Sequence, residues 1–218
     1  MAGTNRRLFP ESLQNRFLKL LAPLVNALAK RGIHPNSLTL AGLVITCMAT
    51  AALVKGHLRT GGLLILLGGL CDCIDGNLAR STGKATRFGA LLDSVIDRYA
   101  EFVMFMGIAV YFITLNNYFI LVVTFIALCG SIMVSYTRAR AESLGFESKA
   151  GMTQRAERIV FLGFGALIHP MVFKLSIWLV AILSNTTALQ RLRHASKQET
   201  RLNDQKPAVD ERKGYGEK

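Results

Sequence analysis

Four aspartates interrupt an otherwise apolar part of the chain, and this pattern limits what the sequence can fold into. Asp72, Asp75, Asp93 and Asp97 lie between the runs GGLLILLGGL and FVMFMGIAVYFI. A carboxylate inside an apolar helix costs about 2.5–3.5 kcal/mol on membrane-insertion scales. Four of them together need partners, and bound cations are the natural ones. The rest of the chain can be interpreted as the structure that holds this acidic cluster in position.

The composition indicates a membrane protein rather than a soluble one. Apolar residues make up 51% of the 218 residues, and the chain carries 26 Lys and Arg against 14 Asp and Glu. A membrane protein with several spans combines these properties because positive charge collects in its cytoplasmic segments. A nucleic-acid-binding protein also has a high pI, but long apolar runs argue against one. We therefore expect no nucleic-acid partner.

The hydrophobic pattern predicts an all-α integral membrane protein in three parts. Residues 1–35 form an N-terminal segment whose amphipathic helix, over 10–31, is too polar to span and is expected to lie in the membrane interface. Residues 36–195 form the membrane domain, and residues 196–218 form a polar tail that is expected to be disordered. The six transmembrane helices are predicted at about 37–54, 61–80, 89–115, 118–142, 155–168 and 171–192.

The charge distribution predicts the orientation of these spans. Six spans place both termini on one side of the membrane, and only Lys55, Arg59 and Lys174 of the basic residues fall on the other side. The positive-inside rule then puts both termini and the acidic cluster on the cytoplasmic face of the cell membrane.

The aspartate spacing predicts an oxygen-rich metal site. Asp72 and Asp75 are three residues apart, and Asp93 and Asp97 are four apart, so each pair shares one face of a helix. The two helices are antiparallel, so the two faces can oppose each other. Such a cage suits Mg²⁺, Mn²⁺ or Ca²⁺ rather than zinc.

Residues around the aspartates favour phosphate chemistry. Gly76 and Gly89 leave room for a close approach, and Arg80 offers a planar donor fork. Divalent metals and arginines at a membrane surface indicate phosphoryl-group transfer on a lipid. The alternative is that Arg80, Arg87 and Arg98 only form salt bridges with the aspartates.

The spacing Asp72-x2-Asp75-Gly76-x2-Ala79-Arg80-x8-Gly89-x3-Asp93-x3-Asp97 resembles the CDP-alcohol phosphatidyltransferase motif at every fixed position. The resemblance extends over about residues 10–195 and implies six membrane helices. It implies that Asp72, Asp75 and Asp93 hold a pair of Mg²⁺ or Mn²⁺ ions, with Asp97 as a further ligand and as the base. It also implies a CDP-diacylglycerol donor, membrane lipids as surroundings, release of CMP and a homodimer. The implied CDP-lipid pocket comprises Asn36, Thr39, Asp72, Gly76, Ala79, Arg80 and Gly89.

An arginine-rich set of residues lies downstream of the aspartates. A phosphorylated acceptor would explain it because Arg binds phosphate through two hydrogen bonds, but anchoring to anionic lipid headgroups would explain it equally well. The segments SYTRARAE and QRAER resemble the phosphatidylinositol-phosphate synthase branch, although Ala156 stands where that branch often has proline. The resemblance implies inositol phosphate as acceptor, with a phosphate pocket formed by Ser135, Arg138, Arg140, Arg155 and Arg191.

Three alternatives stay open. Glycerol 3-phosphate could be the acceptor, which would make the product phosphatidylglycerol phosphate. Intramembrane carboxylates also mark cation transporters, although here they stop near one face. A purely structural scaffold would tolerate replacement of all four aspartates.

Overall fold

A computed structural model describes residues 11–146 and 154–204. These residues form helices and no strand. The N-terminal ten residues, part of the 143–153 loop and the tail beyond 204 lie outside the described residues. The helices are α1 (Glu11–Lys30), α2 (Pro35–Val54), α3 (Leu58–Ser81), α4 (Arg87–Thr114), α5 (Tyr118–Ser143), α6 (Arg155–Ile168) and α7 (Pro170–Asp204).

A helix is present at each predicted position, and the main correction is at the C-terminal end. The disorder expected from residue 196 is wrong for residues 196–204, because these residues continue α7 to Asp204. A formed helix extends at little cost, since each added residue gains one hydrogen bond, and Lys197, Gln198 and Glu199 are good helix formers.

Side-chain caps begin the helices at the positions where polar residues precede the apolar runs. Thr86 Oγ1 accepts a hydrogen bond from the Gly89 amide at 2.9 Å and starts α4. Asn117 Oδ1 accepts from the Ile120 amide at 3.2 Å and starts α5. At the start of α6 the Gln154 amide donates to Glu157 Oε2 at 2.8 Å. These bonds satisfy amides that have no partner within the helix.

Helices α2 to α7 pack as a closed ring. Around the ring the order is α2, α3, α6, α7, α5 and α4, and α4 returns to α2. In this arrangement α4 and α6 lie on opposite sides of the ring. Helix α1 lies outside the ring and packs on α3.

Two glycines allow α3 and α6 to approach closely. A Cβ atom added at Gly62 would lie 2.7 Å from the carbonyl oxygen of Gly163, which is closer than real contacts allow. Glycine at this position therefore permits the contact between the two helices. The contact sets the distance from α6 to the acidic end of α3.

The ring interior is apolar over much of its length. Phe105, Ile108, Leu162, Phe173 and Ile177 are almost completely buried there. Around the outside, the ring exposes many large apolar side chains, as expected for a surface that faces lipid.

Four of the described helices are long and apolar enough to cross a membrane. They are α2, α3, α5 and the Pro170–Thr200 part of α7. Helix α4 carries several charged residues in its first half, and α6 has only 14 residues. A helix of that length extends about 21 Å, which is less than the apolar thickness of a bilayer.

Candidate metal and phosphate site

Three aspartates from two helices converge at one end of the ring. Single carboxylate oxygens of Asp72, Asp75 and Asp93 all lie within 4.8 Å of one another. Asp75 is buried, and the other two are half-buried. The short turn between α3 and α4 brings the two acidic helix faces together, so an arrangement that the sequence spacing allowed is present in the fold.

The donor set fits a hard divalent cation. The cluster offers only carboxylate oxygens, which Mg²⁺ and Mn²⁺ prefer over nitrogen or sulfur. Oδ1 of Asp93 is buried and has no hydrogen-bond partner among the described residues. A buried carboxylate oxygen without a partner is costly, and a cation would satisfy it.

Thr39 connects α2 to this cluster. Its hydroxyl donates a hydrogen bond to Oδ2 of Asp75 at 2.7 Å, and both residues are buried. The resemblance implied that Thr39 faces the CDP group. In the structure its hydroxyl bonds to Asp75, one of the clustered carboxylates.

Asp97 lies beside the three clustered aspartates and contacts two arginines. Nη1 of Arg155 contacts Oδ1 of Asp97 and lies 2.8 Å from Oδ1 of Asp72. Nη2 of Arg98 lies 3.5 Å from Oδ2 of Asp97. Arg155 therefore joins the start of α6 to the acidic residues of both α3 and α4.

The expected nucleotide residues lie at the same end of the ring, at the ends of α2, α3 and α4. A Cβ atom added at Gly89 would lie 3.4 Å from Oδ1 of Asn36. One added at Gly76 would lie 3.6 Å from the Arg80 guanidinium. Ala79 is half-buried on α3, beside Arg80. Space next to both glycines is thus lined by polar groups.

The expected acceptor residues separate into different environments. Arg138 is exposed and forms an ion pair with Glu142 at 2.9 Å, and Arg140 is exposed beside it. Arg191 is buried and donates to the carbonyl oxygen of Val134. Its charge interacts with that of Arg138. Ser135 is half-buried between these groups on α5.

The remaining residue expected to bind the acceptor phosphate is Arg155. It contacts Asp72 and Asp97, so it belongs with the acidic cluster and not with the exposed arginines of α5. The predicted set is therefore divided between the acidic cluster and a second group on the end of α5 and within α7. The salt-bridge alternative named Arg80, Arg87 and Arg98, but Arg80 donates to Asn77 Oδ1 at 3.3 Å. Only Arg98 of those three has a described contact with one of the aspartates.

A buried ion pair that the sequence pattern did not predict lies beneath the site. Nε and Nη2 of Arg158 donate to Oε1 of Glu101 at 3.2 and 2.8 Å. The sequence did contain a signal for this pair. Glu101 follows Asp97 by four residues and Arg158 follows Arg155 by three, so each lies on the same helix face as a residue of the site. A carboxylate in the apolar half of a predicted helix needs a partner, and Arg158 was available.

The chain is similar to proteins of one family over most of its length. The sequence profile of the family described as CDP-alcohol phosphatidyltransferase matches residues 32–187. The chain is 36% identical over 187 residues to archaetidylinositol phosphate synthase of Methanothermobacter thermautotrophicus, covering 84% of this chain and 93% of the relative. It is 33% identical to phosphatidylinositol phosphate synthase of Mycobacteroides abscessus, covering 81% of this chain and 83% of the relative.

Solved structures show a similar fold. The crystal structure of Mycobacterium tuberculosis phosphatidylinositol phosphate synthase with CDP-DAG bound superposes with a TM-score of 0.72 at 29% identity, covering 81% of this chain and 94% of that chain. The same enzyme in complex with manganese and citrate also has a TM-score of 0.72. From the profile match, the acidic motif and these relatives, the chain belongs to the CDP-alcohol phosphatidyltransferase family.

Proposed function

We propose that this chain transfers the phosphatidyl group of CDP-diacylglycerol to a hydroxyl of inositol phosphate and releases CMP. The observation that carries the proposal is the oxygen cluster of Asp72, Asp75 and Asp93 beside the guanidinium of Arg155. This arrangement combines a cation site for a diphosphate with a donor group for a second phosphate. The relatives named archaetidylinositol phosphate synthase and phosphatidylinositol phosphate synthase support the choice of acceptor.

Asp72, Asp75 and Asp93 would hold two divalent cations, Mg²⁺ or Mn²⁺, with Asp97 next to them. Bound cations supply positive charge that offsets the charge of the diphosphate as CMP departs. Thr39 keeps Asp75 oriented toward its neighbours through the 2.7 Å hydrogen bond. Asn36, Gly76, Ala79, Arg80 and Gly89 would line the nucleotide end of the pocket.

Asp97 is the proposed general base. It accepts the proton of the acceptor hydroxyl, whose oxygen then forms a bond to the β-phosphorus while the bond from that phosphorus to the CMP oxygen breaks. Arg155 and Arg98 hold the Asp97 carboxylate in place from two directions.

The acceptor phosphate is assigned to arginines at the end of α5, at the start of α6 and within α7. Nε of Arg155 is buried without a hydrogen-bond partner among the described residues, which leaves it a donor for a phosphate oxygen. Arg191, Arg138, Arg140 and Ser135 would form the outer part of this pocket. A phosphorylated acceptor would bring an anion that guanidinium groups bind through paired hydrogen bonds, which a neutral acceptor does not offer.

The membrane arrangement is part of the proposal. Helices α2 to α7 would cross the cell membrane, and α1 would lie in its interface, since Phe17, Leu20 and Leu24 are exposed on that helix. The active site and both termini would face the cytoplasm. Assembly as a homodimer stays a prediction.

A panel of acceptors tests the proposed reaction. Purified protein with CDP-diacylglycerol and Mg²⁺ or Mn²⁺ is supplied separately with inositol phosphate, glycerol 3-phosphate, inositol or serine, and CMP release is measured. We expect turnover with inositol phosphate. Asp97→Asn should reduce the rate by about 10²–10⁴-fold, the usual contribution of a general base, while CDP-lipid binding is retained.

Each outcome of this panel has a clear meaning. Turnover only with inositol or serine would contradict the phosphate assignment of the arginines, and turnover only with glycerol 3-phosphate would change the acceptor. Glu199→Gln is the matched control, because it removes an exposed carboxylate of α7 and should leave the rate unchanged. A normal rate for Asp97→Asn would show that another group is the base.

A further inference from the structure

An ion pair crosses the middle of the helix ring. Glu101 on α4 and Arg158 on α6 are joined by two hydrogen bonds, although their helices lie on opposite sides of the ring. The two side chains are only 3% and 2% exposed. The proposed reaction uses neither residue directly, since substrates do not reach groups buried to this extent.

The pair lies one helical turn beneath the acidic site and joins the same two helices as the ion pair at that site. Asp97 and Arg155 join α4 to α6 at the site, and Glu101 and Arg158 join the same two helices one turn further along. Residues three or four apart share a helix face, so both ion pairs lie between the same two faces. The first turn of α6 is therefore held across the ring at two levels.

Arg158 also determines which cation Glu101 attracts. Arg98 lies beside Glu101, with Nε 3.5 Å from Oε2, and the charge of Arg155 also interacts with Glu101. If Arg158 were absent, the buried Glu101 carboxylate would lack its main partner, and a buried charge without a partner is strongly unfavourable. With Arg158 removed, Arg98 and Arg155 are the cations that still interact with Glu101, and a turn of Arg155 toward Glu101 withdraws its guanidinium from Asp72 and Asp97.

We propose that Glu101 and Arg158 are positioning residues that hold Arg155 at the acidic site and thereby set the affinity of the enzyme for the acceptor phosphate. This inference rests on the proposed function, in which Arg155 binds that phosphate. The ion pair satisfies Glu101, so Arg155 is kept for Asp72, Asp97 and the acceptor. The nucleotide end of the pocket is formed by α2, α3 and the start of α4, and neither Glu101 nor Arg158 contributes to it.

Three variants and one control test the proposal. Arg158→Met removes the partner of Glu101, and the double variant Glu101→Gln with Arg158→Met removes the charge of Glu101 as well. Arg158→Lys keeps the charge without the donor fork. Thr50→Val is the matched control, because it removes another buried link of α4, the 2.8 Å hydrogen bond from Thr50 to the Val103 carbonyl oxygen, without touching α6.

We expect Arg158→Met to raise the KM for the acceptor about tenfold or more, the size expected for losing one charge-assisted hydrogen bond. The KM for CDP-diacylglycerol should stay within about twofold of the wild-type value. The double variant should recover most of the acceptor affinity because Arg155 is no longer drawn away. Arg158→Lys should fall between the wild type and Arg158→Met, and Thr50→Val should change neither KM.

A merely structural role would give a different result. It would lower kcat in proportion to the folded fraction and leave both KM values unchanged, or it would raise both equally, and either result would overturn the proposal. Calorimetric binding of inorganic phosphate to the detergent-solubilised variants measures the same effect without turnover. An unchanged phosphate affinity in Arg158→Met would also overturn the proposal.

Failure of the proposed function is recognised separately. Wild-type protein that releases no CMP with any acceptor would contradict the proposed reaction, while the phosphate-binding measurement would still decide the role of Arg158. If Arg158→Met does not fold, the double variant and Arg158→Lys carry the test. Wild-type phosphate affinity in the double variant and weakened affinity in Arg158→Lys support the proposal, and equal losses in both overturn it.

Discussion

Each aspartate of the acidic site has different neighbours, and the neighbours distinguish their roles. Asp75 is buried and accepts a hydrogen bond from the hydroxyl of Thr39. Asp72 contacts Arg155, and Asp97 contacts both Arg155 and Arg98. Asp93 has a buried oxygen without a partner among the described residues, whereas Asp97 is contacted by two arginines, so residues of the same type are in positions suited to different chemistry.

The Thr39 hydroxyl gives a prediction at the scale of a single residue. Groups that orient a metal-ligating carboxylate usually contribute about 10–100-fold to metal affinity. Thr39→Val keeps the shape of the side chain and removes only the hydrogen bond to Asp75. We expect it to weaken Mn²⁺ binding by about tenfold, measured by electron paramagnetic resonance of free Mn²⁺.

Thr39→Ser is the control for this prediction, because it restores the hydroxyl and should bind Mn²⁺ as the wild type does. The result contrary to our expectation is normal Mn²⁺ affinity with weakened CDP-lipid binding. It would place the hydroxyl of Thr39 on the nucleotide, as the sequence resemblance implied.

At the scale of helices, most of the architecture could be predicted from local patterns. Apolar runs bounded by polar or turn residues indicated every helix, and Thr86 and Asn117 start α4 and α5 through bonds to nearby amides. The aspartate spacing also predicted which residues meet, because the two helices are joined by a short turn. These features depend on interactions between residues close together in the sequence.

The position of Arg155 could not be predicted in the same way. Its contact with Asp72 and Asp97 depends on α6 lying beside α3 and opposite α4, which the order of the helices along the chain does not determine. The same is true of the partnership between Glu101 and Arg158. The helical extension of α7 was missed because its polar composition resembles that of a disordered tail.

The close approach of α3 and α6 gives a prediction at the scale of helices. In Gly62→Ala the new Cβ would meet the Gly163 carbonyl oxygen at 2.7 Å, and backbone cannot move aside as a flexible side chain can. The two helices must separate, at a cost of about 1–3 kcal/mol of stability. Because Arg155 is carried by α6, the acceptor KM should rise as well, measured by CMP release at varied inositol phosphate.

Gly107→Ala is the control for this effect on α6. Its Cβ would lie 2.9 Å from the Cα atom of Thr50 and would disturb the contact between α4 and α2 instead. It should lower the thermal stability in detergent to a similar degree and leave the acceptor KM nearly unchanged. Equal effects of both variants on that KM would mean that the spacing of α3 and α6 has no specific role.

At the scale of the whole molecule, the charge distribution predicts which face of the membrane holds the site. His57 lies in the exposed turn between α2 and α3, and Lys84 lies in the exposed turn between α3 and α4. Helix α3 between them is long and apolar enough to span. The two turns should therefore lie on opposite sides of the membrane, with Lys84 on the cytoplasmic side because most of the basic residues share that side.

Labelling of single cysteines measures this orientation. In protein without its four native cysteines, expressed in a bacterial cytoplasmic membrane, His57→Cys should react with a membrane-impermeant maleimide added to intact cells. Lys84→Cys should react only in inverted vesicles. The reverse pattern would put the aspartates on the outer face and contradict the predicted orientation. Labelling of both positions from one side would mean that α3 does not span.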